Sequence, residues 1–150
     1  MSREDTCLHR VQYYETDRMG IVHHSNYIRW MEEARTEVMR LRGVDYARIE
    51  AQGILMPVVS VSCDYKSPAR FGDVAEITVR LTRFNGVRAE FGYRICPQGS
   101  ELLLAEGRSV HCFIDEGTRK PLNLIKRLPL ESGQMQRLLA EDAERTDKES

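Results

Sequence analysis

One carboxylate and two histidines stand close together near the start of the sequence. Asp17 lies in a polar segment that contains Gly20, and His23 and His24 come where a helix is expected to begin. The first turn of a helix leaves backbone N–H groups without acceptors and carries the positive end of the helix dipole. A carboxylate facing such a turn can act as a base or nucleophile at a carbonyl carbon, while the N–H groups stabilise the oxyanion. The pattern therefore predicts a site that attacks a carbonyl group.

The elements that must position these residues are a strand before them and a helix after them. Leu8 to Thr16 alternates loosely and predicts a first strand, and Asp17 to Gly20 predicts a turn. Ser25 or Asn26 is expected to cap the helix, and Gly43 is expected to end it. Apolar residues recur along this helix at intervals of three and four, which predicts one buried stripe of Tyr27, Met31, Ala34, Val38 and Leu41.

The middle of the chain predicts an antiparallel sheet. A loop with some helical character, Asp45 to Gly53, is followed after Pro57 by alternation of apolar and polar residues with a period of two. Asn85-Gly86 is typical of a tight hairpin turn, and Pro97 to Ser100 predicts a second turn. Strands joined in this way pair antiparallel with their neighbours in the chain.

The C-terminal part completes the predicted fold. A long last strand from Leu102 to Ile114 is expected to carry a bulge at Gly107. A short amphipathic helix is expected from Leu128 to Glu141, and residues 141–150 are expected to form a frayed charged tail. The whole chain, residues 1–150, is predicted to be a single α+β domain in which about five antiparallel strands wrap around one long central helix.

Composition narrows the classes of function and the compartment. Lys plus Arg number 22 and Asp plus Glu 23, a balance that argues against a dedicated nucleic-acid binder. No apolar run approaches the length of a membrane span, and the polar N-terminus has no signal-peptide core. The four cysteines form no C-x-x-C pair, so we expect reduced thiols and a cytoplasmic protein.

The segment from Tyr14 to Arg35 resembles one enzyme family. The matching positions are Tyr14, Thr16, Asp17, Gly20, Val22, His24, Tyr27, Glu32, Ala34 and Arg35. This pattern is similar to that of hotdog-fold acyl-CoA thioesterases, in the branch that includes 4-hydroxybenzoyl-CoA thioesterase and the acyl-CoA thioester hydrolase associated with the Tol–Pal system. The stretch from Val59 to Asp73 also resembles this family. The spacing over Tyr14 to Arg35 makes the signal much more specific than a short motif.

The resemblance implies hydrolysis of a coenzyme A thioester to a free acid and CoA. It implies no metal and no cofactor, since CoA is part of the substrate. It also implies a homodimer or homotetramer with the active site at a subunit interface. The sequence departs from the family pattern at Met19 and His23, and His23 is expected near the acyl pocket. The identity of the acyl group is therefore not transferred by the resemblance.

The resemblance assigns the catalytic role to Asp17, as general base on water or as a nucleophile that forms a mixed anhydride. On the turn alone, an Asx-turn or a helix-capping aspartate is the competing interpretation. We expect the backbone N–H of His24, together with that of His23, to polarise the thioester carbonyl. The His24 imidazole orients Asp17 or the substrate, or has no role. Adjacent histidines point in different directions on a helix, which argues against a metal site.

Further residues are predicted to support the site or to bind CoA. Gly20 is expected to supply an unusual backbone angle or room for the substrate. Glu32 either supports the site or pairs with Arg35 on the helix surface. The other predicted supporting and pocket residues are Tyr14, Val22, His23 and Tyr27, where Tyr14 alternatively packs between strand and helix. The expected phosphate-binding cations, for which solvated surface charge is the alternative, are Lys66, Arg70 and Arg88.

Two rival functions keep the same fold. A dehydratase or hydratase acting on acyl-CoA or on acyl-carrier protein would use His24 and Glu32 as an acid–base pair. A non-catalytic module would bind an acyl thioester, or associate with an acyl-carrier protein or a cell-envelope complex, without turnover. Release of free thiol separates hydrolysis from both rivals.

Overall fold

A five-stranded antiparallel sheet lies against one long helix in the computed structural model, which describes residues 4–149. The strands are β1 (Thr6–Arg10), β2 (Ile54–Leu55), β3 (Val58–Tyr65), β4 (Val74–Phe84), β5 (Arg88–Pro97), β6 (Ala105–Cys112) and β7 (Ile114–Asp115). The helices are α1 (Ser25–Leu41), α2 (Tyr46–Ala51), α3 (Leu124–Arg127) and α4 (Pro129–Glu149), and a short 3-10 helix covers Tyr13–Glu15.

The strand order in the main sheet is β1-β4-β5-β6-β3, and each neighbouring pair is antiparallel. Tyr93 on β5 is aligned with Val79 on β4 and with Gly107 on β6, and this set faces α1. Alternate residues of a strand point to the same side of the sheet, and on β4 and β5 the apolar residues occupy the side that is buried against the helix. β2 and β7 form a separate two-stranded sheet.

The hairpin predicted at Asn85-Gly86 is confirmed between β4 and β5. The Asn85 side chain accepts hydrogen bonds from the backbone N–H groups of Val87 and Arg88, at 3.0 and 2.7 Å. Gly86 has a φ of 89°, a conformation that side chains other than that of glycine disfavour. The turn therefore fixes the register of the central strands.

Helix α1 buries the predicted stripe except at its end. Tyr27, Met31, Ala34 and Val38 are buried together with Trp30, but Leu41 is 59% exposed, so its place in the stripe was predicted wrongly. The helix ends at Leu41, and Gly43 follows with a φ of 95°, which confirms the predicted stop. Ser25 and Asn26 are the first helical residues rather than caps.

The first strand is shorter than predicted. β1 ends at Arg10, and Tyr13–Glu15 turns into the 3-10 helix because the Glu15 carboxylate accepts the Gln12 N–H at 2.8 Å. This side-chain acceptor competes with a sheet neighbour for the backbone donor. The predicted strand from Leu8 to Thr16 is therefore wrong beyond Arg10.

The predicted last strand, Leu102 to Ile114, begins later, at Ala105, and is broken after Cys112 rather than bulged at Gly107. β6 ends at Cys112, and the chain continues as β7, which pairs with β2 instead of the main sheet. Gly107 pairs regularly with Cys63 and Tyr93, and the register shifts occur at Val58/Ser60 and Leu81/Arg83. A Cβ on Gly107 would lie 2.7 Å from the Ser62 carbonyl oxygen and 2.8 Å from Met31 Sδ, so the glycine permits close packing of α1.

Helix α4 packs on β4 and continues well beyond the predicted end at Glu141. Asp142 is buried, accepts a hydrogen bond from Arg42 Nη1 at 2.7 Å and accepts another from the Leu81 N–H at 2.9 Å. The segment expected as a frayed tail is thus helical up to Glu149, where Glu149 pairs with Arg80. Within residues 4–149, none of the helices combines the length and the apolar character needed to cross a membrane.

Candidate active site

Asp17 lies in a tight loop that connects the 3-10 helix to α1. The Asp17 N–H donates to the Ile21 carbonyl at 2.8 Å, and the Gly20 N–H donates to the Asp17 carbonyl at 3.0 Å. Asp17 Oδ1 accepts the Met19 N–H at 2.8 Å, so the side chain forms the Asx-turn that was the competing interpretation. The carboxylate is half-buried and borders an open groove, and its Oδ2 has no hydrogen-bond partner among the described residues. An Asx-turn and an available carboxylate oxygen therefore coexist.

The start of α1 borders the same groove. Of the four backbone N–H groups from His23 to Asn26, three have acceptors within residues 4–149 and one does not. The His23 N–H donates to the Glu15 carbonyl at 2.8 Å, the Ser25 N–H to His23 Nδ1 at 3.2 Å, and the Asn26 N–H to the His23 carbonyl at 3.0 Å. Within residues 4–149, we find no acceptor for the His24 N–H. The predicted participation of the His23 N–H is therefore wrong, because that donor is already used inside the protein.

The His23 imidazole takes the place of the predicted cap. Its Nδ1 lies 2.8 Å from Ser25 Oγ and accepts the Ser25 N–H at 3.2 Å, so the ring satisfies one donor of the helix start. The ring stacks on His24 with centroids 4.1 Å apart. The Tyr65 hydroxyl donates to the His24 carbonyl at 3.1 Å, which anchors the helix start to the end of β3.

Glu15 and Trp30 hold the loop to the helix, and neither was singled out from the sequence. Trp30 Nε1 donates to Glu15 Oε2 at 2.7 Å, and both side chains are buried. The available signals were a glutamate between Tyr14 and Thr16 and the only tryptophan of the chain one turn along α1 from Tyr27. The sequence does not indicate that Glu15 is buried, because its donors Gln12 and Trp30 are identified only in the folded chain.

The other supporting residues are divided between surface and core. Tyr14 is 81% exposed and does not pack between strand and helix. Gly20 has a φ of 79°, and no atom lies within 4 Å of a Cβ placed on it, so the backbone angle explains this glycine. Val22 and Tyr27 are core residues, at 4% and 3% exposure, and the Tyr27 hydroxyl accepts the Ala69 N–H at 3.3 Å.

Glu32 and Arg35 do not form the predicted ion pair. Glu32 is exposed and has no basic partner within 4.0 Å among the described residues. Arg35 Nη1 instead donates to the Tyr93 hydroxyl at 3.2 Å. That hydroxyl lies 2.6 Å from Ser109 Oγ, which in turn lies 2.8 Å from His111 Nε2. Burial and then the positive charge of Arg35 lower the pKa of His111 to about 4, so this ring is neutral at pH 7.

A cavity of about 350 Å³ lies beside this polar chain, where α1 and α2 meet the beginning of β3. Its walls are mainly apolar and include Met39, Tyr46, Met56, Val58 and Phe91, with the Arg35 guanidinium 6.0 Å from the Phe91 ring centroid. It is far along α1 from His24, because Arg35 lies three turns into the helix. Within a single chain, the apolar cavity and the candidate catalytic residues therefore lie apart.

The three expected CoA-binding cations are exposed but do not lie together. Arg88 is aligned with Cys112, at the end of the sheet where β3 begins, whereas Lys66 follows the opposite end of β3. These ends are about 20 Å apart at roughly 3.3 Å per strand residue. Arg70 lies near Lys66, after the same end of β3. Among residues 4–149, no group of three or more His, Cys, Asp or Glu has a metal-binding arrangement.

Comparison with known proteins identifies the proteins to which this chain is similar. A family model for the thioesterase-like superfamily matches residues 11–138. The candidate acyl-CoA thioesterase YneP of Bacillus subtilis is 37% identical over 119 residues, which cover 79% of this chain and 86% of YneP. The acyl-CoA thioester hydrolase YbgC of Escherichia coli O6:H1 is 31% identical over 122 residues, covering 81% of this chain and 90% of YbgC.

The fold has close counterparts among solved structures. A DHNA-CoA thioesterase from Staphylococcus aureus superposes with a TM-score of 0.87 at 28% identity, covering 93% of each chain. This match confirms the prediction of an α+β hotdog fold.

Proposed function

Because the chain belongs to the thioesterase-like superfamily and is a thioesterase, we propose that it hydrolyses acyl-CoA thioesters with Asp17 and the His24 N–H as its reacting groups. The observation that carries this assignment is a groove that Asp17 lines together with His23, Ser25 and Asn26 at the start of α1. Asp17 Oδ2 and the neighbouring His24 N–H have no partner among residues 4–149. Names given to the relatives support the acyl-CoA substrate class, and the motif together with this geometry supports the choice of residues.

The reaction needs one activated oxygen and one donor to the carbonyl. As general base, Asp17 takes a proton from water while the water oxygen bonds to the acyl carbon. As nucleophile, Asp17 bonds to that carbon itself, and water then hydrolyses the mixed anhydride. In both routes the His24 N–H donates to the carbonyl oxygen, the C–S bond breaks, and CoA leaves as a thiolate that takes up a proton.

We assign the second half of the site to another copy of this chain. β3 is an edge strand of the main sheet, and Val58, Val59 and Val61 on it are 52%, 50% and 42% exposed. An edge strand with exposed valines and free backbone groups is suited to pairing with another strand. Two copies related by a twofold axis would pair β3 with β3 antiparallel, with Val61 near the axis.

Such pairing would join the parts that one chain keeps apart. The beginning of β3 in the second copy would lie beside Tyr65, and Tyr65 touches His24. The second copy's cavity, beside its Val58 and Arg35, would then adjoin the groove of Asp17. The same pairing would bring Arg88 of the second copy to the end of the sheet that holds Lys66 and Arg70. An acyl pocket and phosphate-binding cations would thus come from two chains, as a homodimer or within a homotetramer.

This mechanism uses a carboxylate and a backbone amide, so we expect no metal and no cofactor. The described cysteines, Cys7, Cys63, Cys96 and Cys112, are all free thiols. Free thiols are typical of a reducing compartment, and we place the protein in the cytoplasm, where it would meet acyl-CoA. An acyl-carrier protein presents the same thioester and is the alternative substrate carrier.

Exchange of Asp17 for asparagine tests the proposal directly. Asp17→Asn keeps an oxygen for the Met19 N–H but removes the base and nucleophile, so kcat for thiol release from acyl-CoA should fall by about a hundredfold or more. The measurement follows free thiol over a panel of acyl chains, with enoyl-thioester hydration assayed in parallel. Asp17→Asn turning over every substrate at the wild-type rate would refute the assignment, and hydration without thiol release would support the dehydratase alternative.

A further inference from the structure

The carboxylate of Glu15 is buried immediately beside the loop that carries Asp17. Its exposure is 5%, and three groups donate to it. Oε1 accepts from the Gln12 N–H and from His9 Nε2, both at 2.8 Å, and Oε2 accepts from Trp30 Nε1 at 2.7 Å. A buried carboxylate with this many donors is fixed in position and costly to disturb.

The donors keep this carboxylate charged. Burial raises the pKa of Glu15, but the hydrogen bonds from Gln12, His9 and Trp30 together lower it by more than burial raises it. The pKa of Glu15 therefore lies below its ordinary value. His9 lies between two carboxylates, since its Nδ1 is also 3.5 Å from Glu33 Oε2. The His9 ring packs against Trp30 with centroids 4.8 Å apart. Side chains from β1 and α1 thus converge on Glu15.

The main chain of Glu15 is bound to the far end of the same loop. Its carbonyl accepts the His23 N–H at 2.8 Å and Asn26 Nδ2 at 2.9 Å. Glu15 therefore touches both the residue before the loop and the residues after it. The loop between them is closed by its own hydrogen bonds, from the Asp17 N–H to the Ile21 carbonyl and from the Met19 N–H to Asp17 Oδ1, while its tip at Arg18, Met19 and Gly20 is exposed. The placement of this compact loop against α1 therefore depends on the contacts at its two ends.

We propose that Glu15 is a positioning residue for thioester hydrolysis, which holds the Asp17 carboxylate in register with the His24 N–H. Through its carbonyl it also occupies the His23 N–H, which leaves the His24 N–H as the donor available to the substrate. This inference rests on the proposed role of Asp17. It adds that the geometry of the reacting pair depends on a carboxylate that does not itself touch the substrate.

A double-mutant cycle separates positioning from folding. Glu15→Gln keeps the size of the side chain but turns an NH₂ group toward a donor, so the loop should shift against α1. At a temperature well below unfolding, kcat should fall about 10²-fold, as expected for a misplaced reacting group, while KM changes much less. In the Asp17→Asn background, the same Glu15→Gln change should lower the residual kcat less than about threefold, because its effect acts through Asp17.

Two further variants complete the design. Trp30→Phe keeps an aromatic ring and removes only the N–H donor, so it serves if Glu15→Gln does not fold, and its kcat should fall about tenfold in the wild-type background only. Glu33→Gln is the matched control, since Glu33 also contacts His9 but its side chain is 58% exposed, and its kcat should stay near that of wild type. An equal loss of kcat in both Asp17 backgrounds, or a lowered melting temperature with unchanged kcat, would overturn the inference. Full activity of Asp17→Asn alone would instead overturn the proposed function.

Discussion

The imidazole and the backbone amide of His24 belong to one residue but would contribute to hydrolysis in different ways. The imidazole is exposed and stacks on His23, whereas the N–H has no internal acceptor in the described chain. His24 has a φ of −55°, close to the value near −65° that proline imposes. The φ of His24 is therefore compatible with proline, which would remove the N–H.

A pair of substitutions isolates the amide of His24. His24→Ala and His24→Pro both remove the imidazole, but only proline removes the N–H. If the amide stabilises the oxyanion, His24→Pro should lower kcat by about 10²–10³-fold relative to His24→Ala, while His24→Ala stays within about tenfold of wild type. Thiol-release kinetics and melting temperatures of both proteins provide the measurement. Equal rates for the alanine and proline variants would exclude this amide as the donor.

At the residue scale, the sequence predicts the residue types of the candidate site better than their contacts. Asp17, Gly20 and His24 were predicted from the motif, and Asp17 lines one groove with His23 and Ser25, the two neighbours of His24. Glu15 was not predicted because its importance depends on donors from Gln12 and Trp30, which are close only after folding. One of the two interpretations of Glu32 paired it with Arg35 by helical spacing, but Arg35 donates to the Tyr93 hydroxyl, which is distant in sequence.

At the scale of elements, alternation predicted the strands that have one buried face and one polar face. β4 and β5 satisfy this condition, and their hairpin was predicted at the correct residues. β6 and β7 were predicted as one strand because the apolar character continues through Phe113, although the chain changes sheets there. Periodicity reports which side chains are buried, and it does not report the strand with which each segment pairs.

Gly107 provides a test of how closely α1 packs on the sheet. Gly107→Ala would place its Cβ 2.7 Å from the Ser62 carbonyl oxygen and 2.8 Å from Met31 Sδ, so we expect destabilisation of about 1–3 kcal/mol from overpacking. The matched control is Gly133→Ala in α4, where no atom lies within 4 Å of the new Cβ. This control should gain up to about 1 kcal/mol, since alanine favours helix over glycine. Urea unfolding of the three proteins measures both effects, and equal stability of Gly107→Ala and wild type would contradict the packing argument.

At the scale of the whole molecule, the edge strand β3 exposes backbone groups on its outer side, and residues 4–149 provide no further strand to pair with them. β3 belongs to the main sheet, yet most of its residues are exposed. The sequence predicted this strand, but its position at the edge depends on strand order, which no local pattern specifies. The valines of β3 and the separation of groove and cavity have one common explanation in the proposed pairing of two copies.

A charge at the centre of β3 tests that pairing. Val61→Lys would place two lysines opposite each other near the twofold axis, and like charges in that position should weaken the dimer by at least about tenfold. Activity should fall with the dimer, because the proposed site takes its groove and its acyl cavity from different copies. Leu130→Lys is the control, since Leu130 is 72% exposed on α4 and lies off the edge strand. Sedimentation and thiol release over a range of concentrations would detect the linkage, and an active monomeric Val61→Lys protein would refute it.

The ion pair between Arg42 and Asp142 bears on where this domain can be cut. The region recognised by family similarity ends at residue 138, so Asp142 falls outside it. A chain truncated at that boundary would keep both candidate reacting groups but would leave the Arg42 guanidinium, 3% exposed, without its counter-charge. Loss of one member of a buried pair costs about 3–5 kcal/mol, a large share of the 5–15 kcal/mol that holds a typical domain folded. Homology limits alone would therefore yield a fragment that keeps Asp17 and His24 but folds poorly.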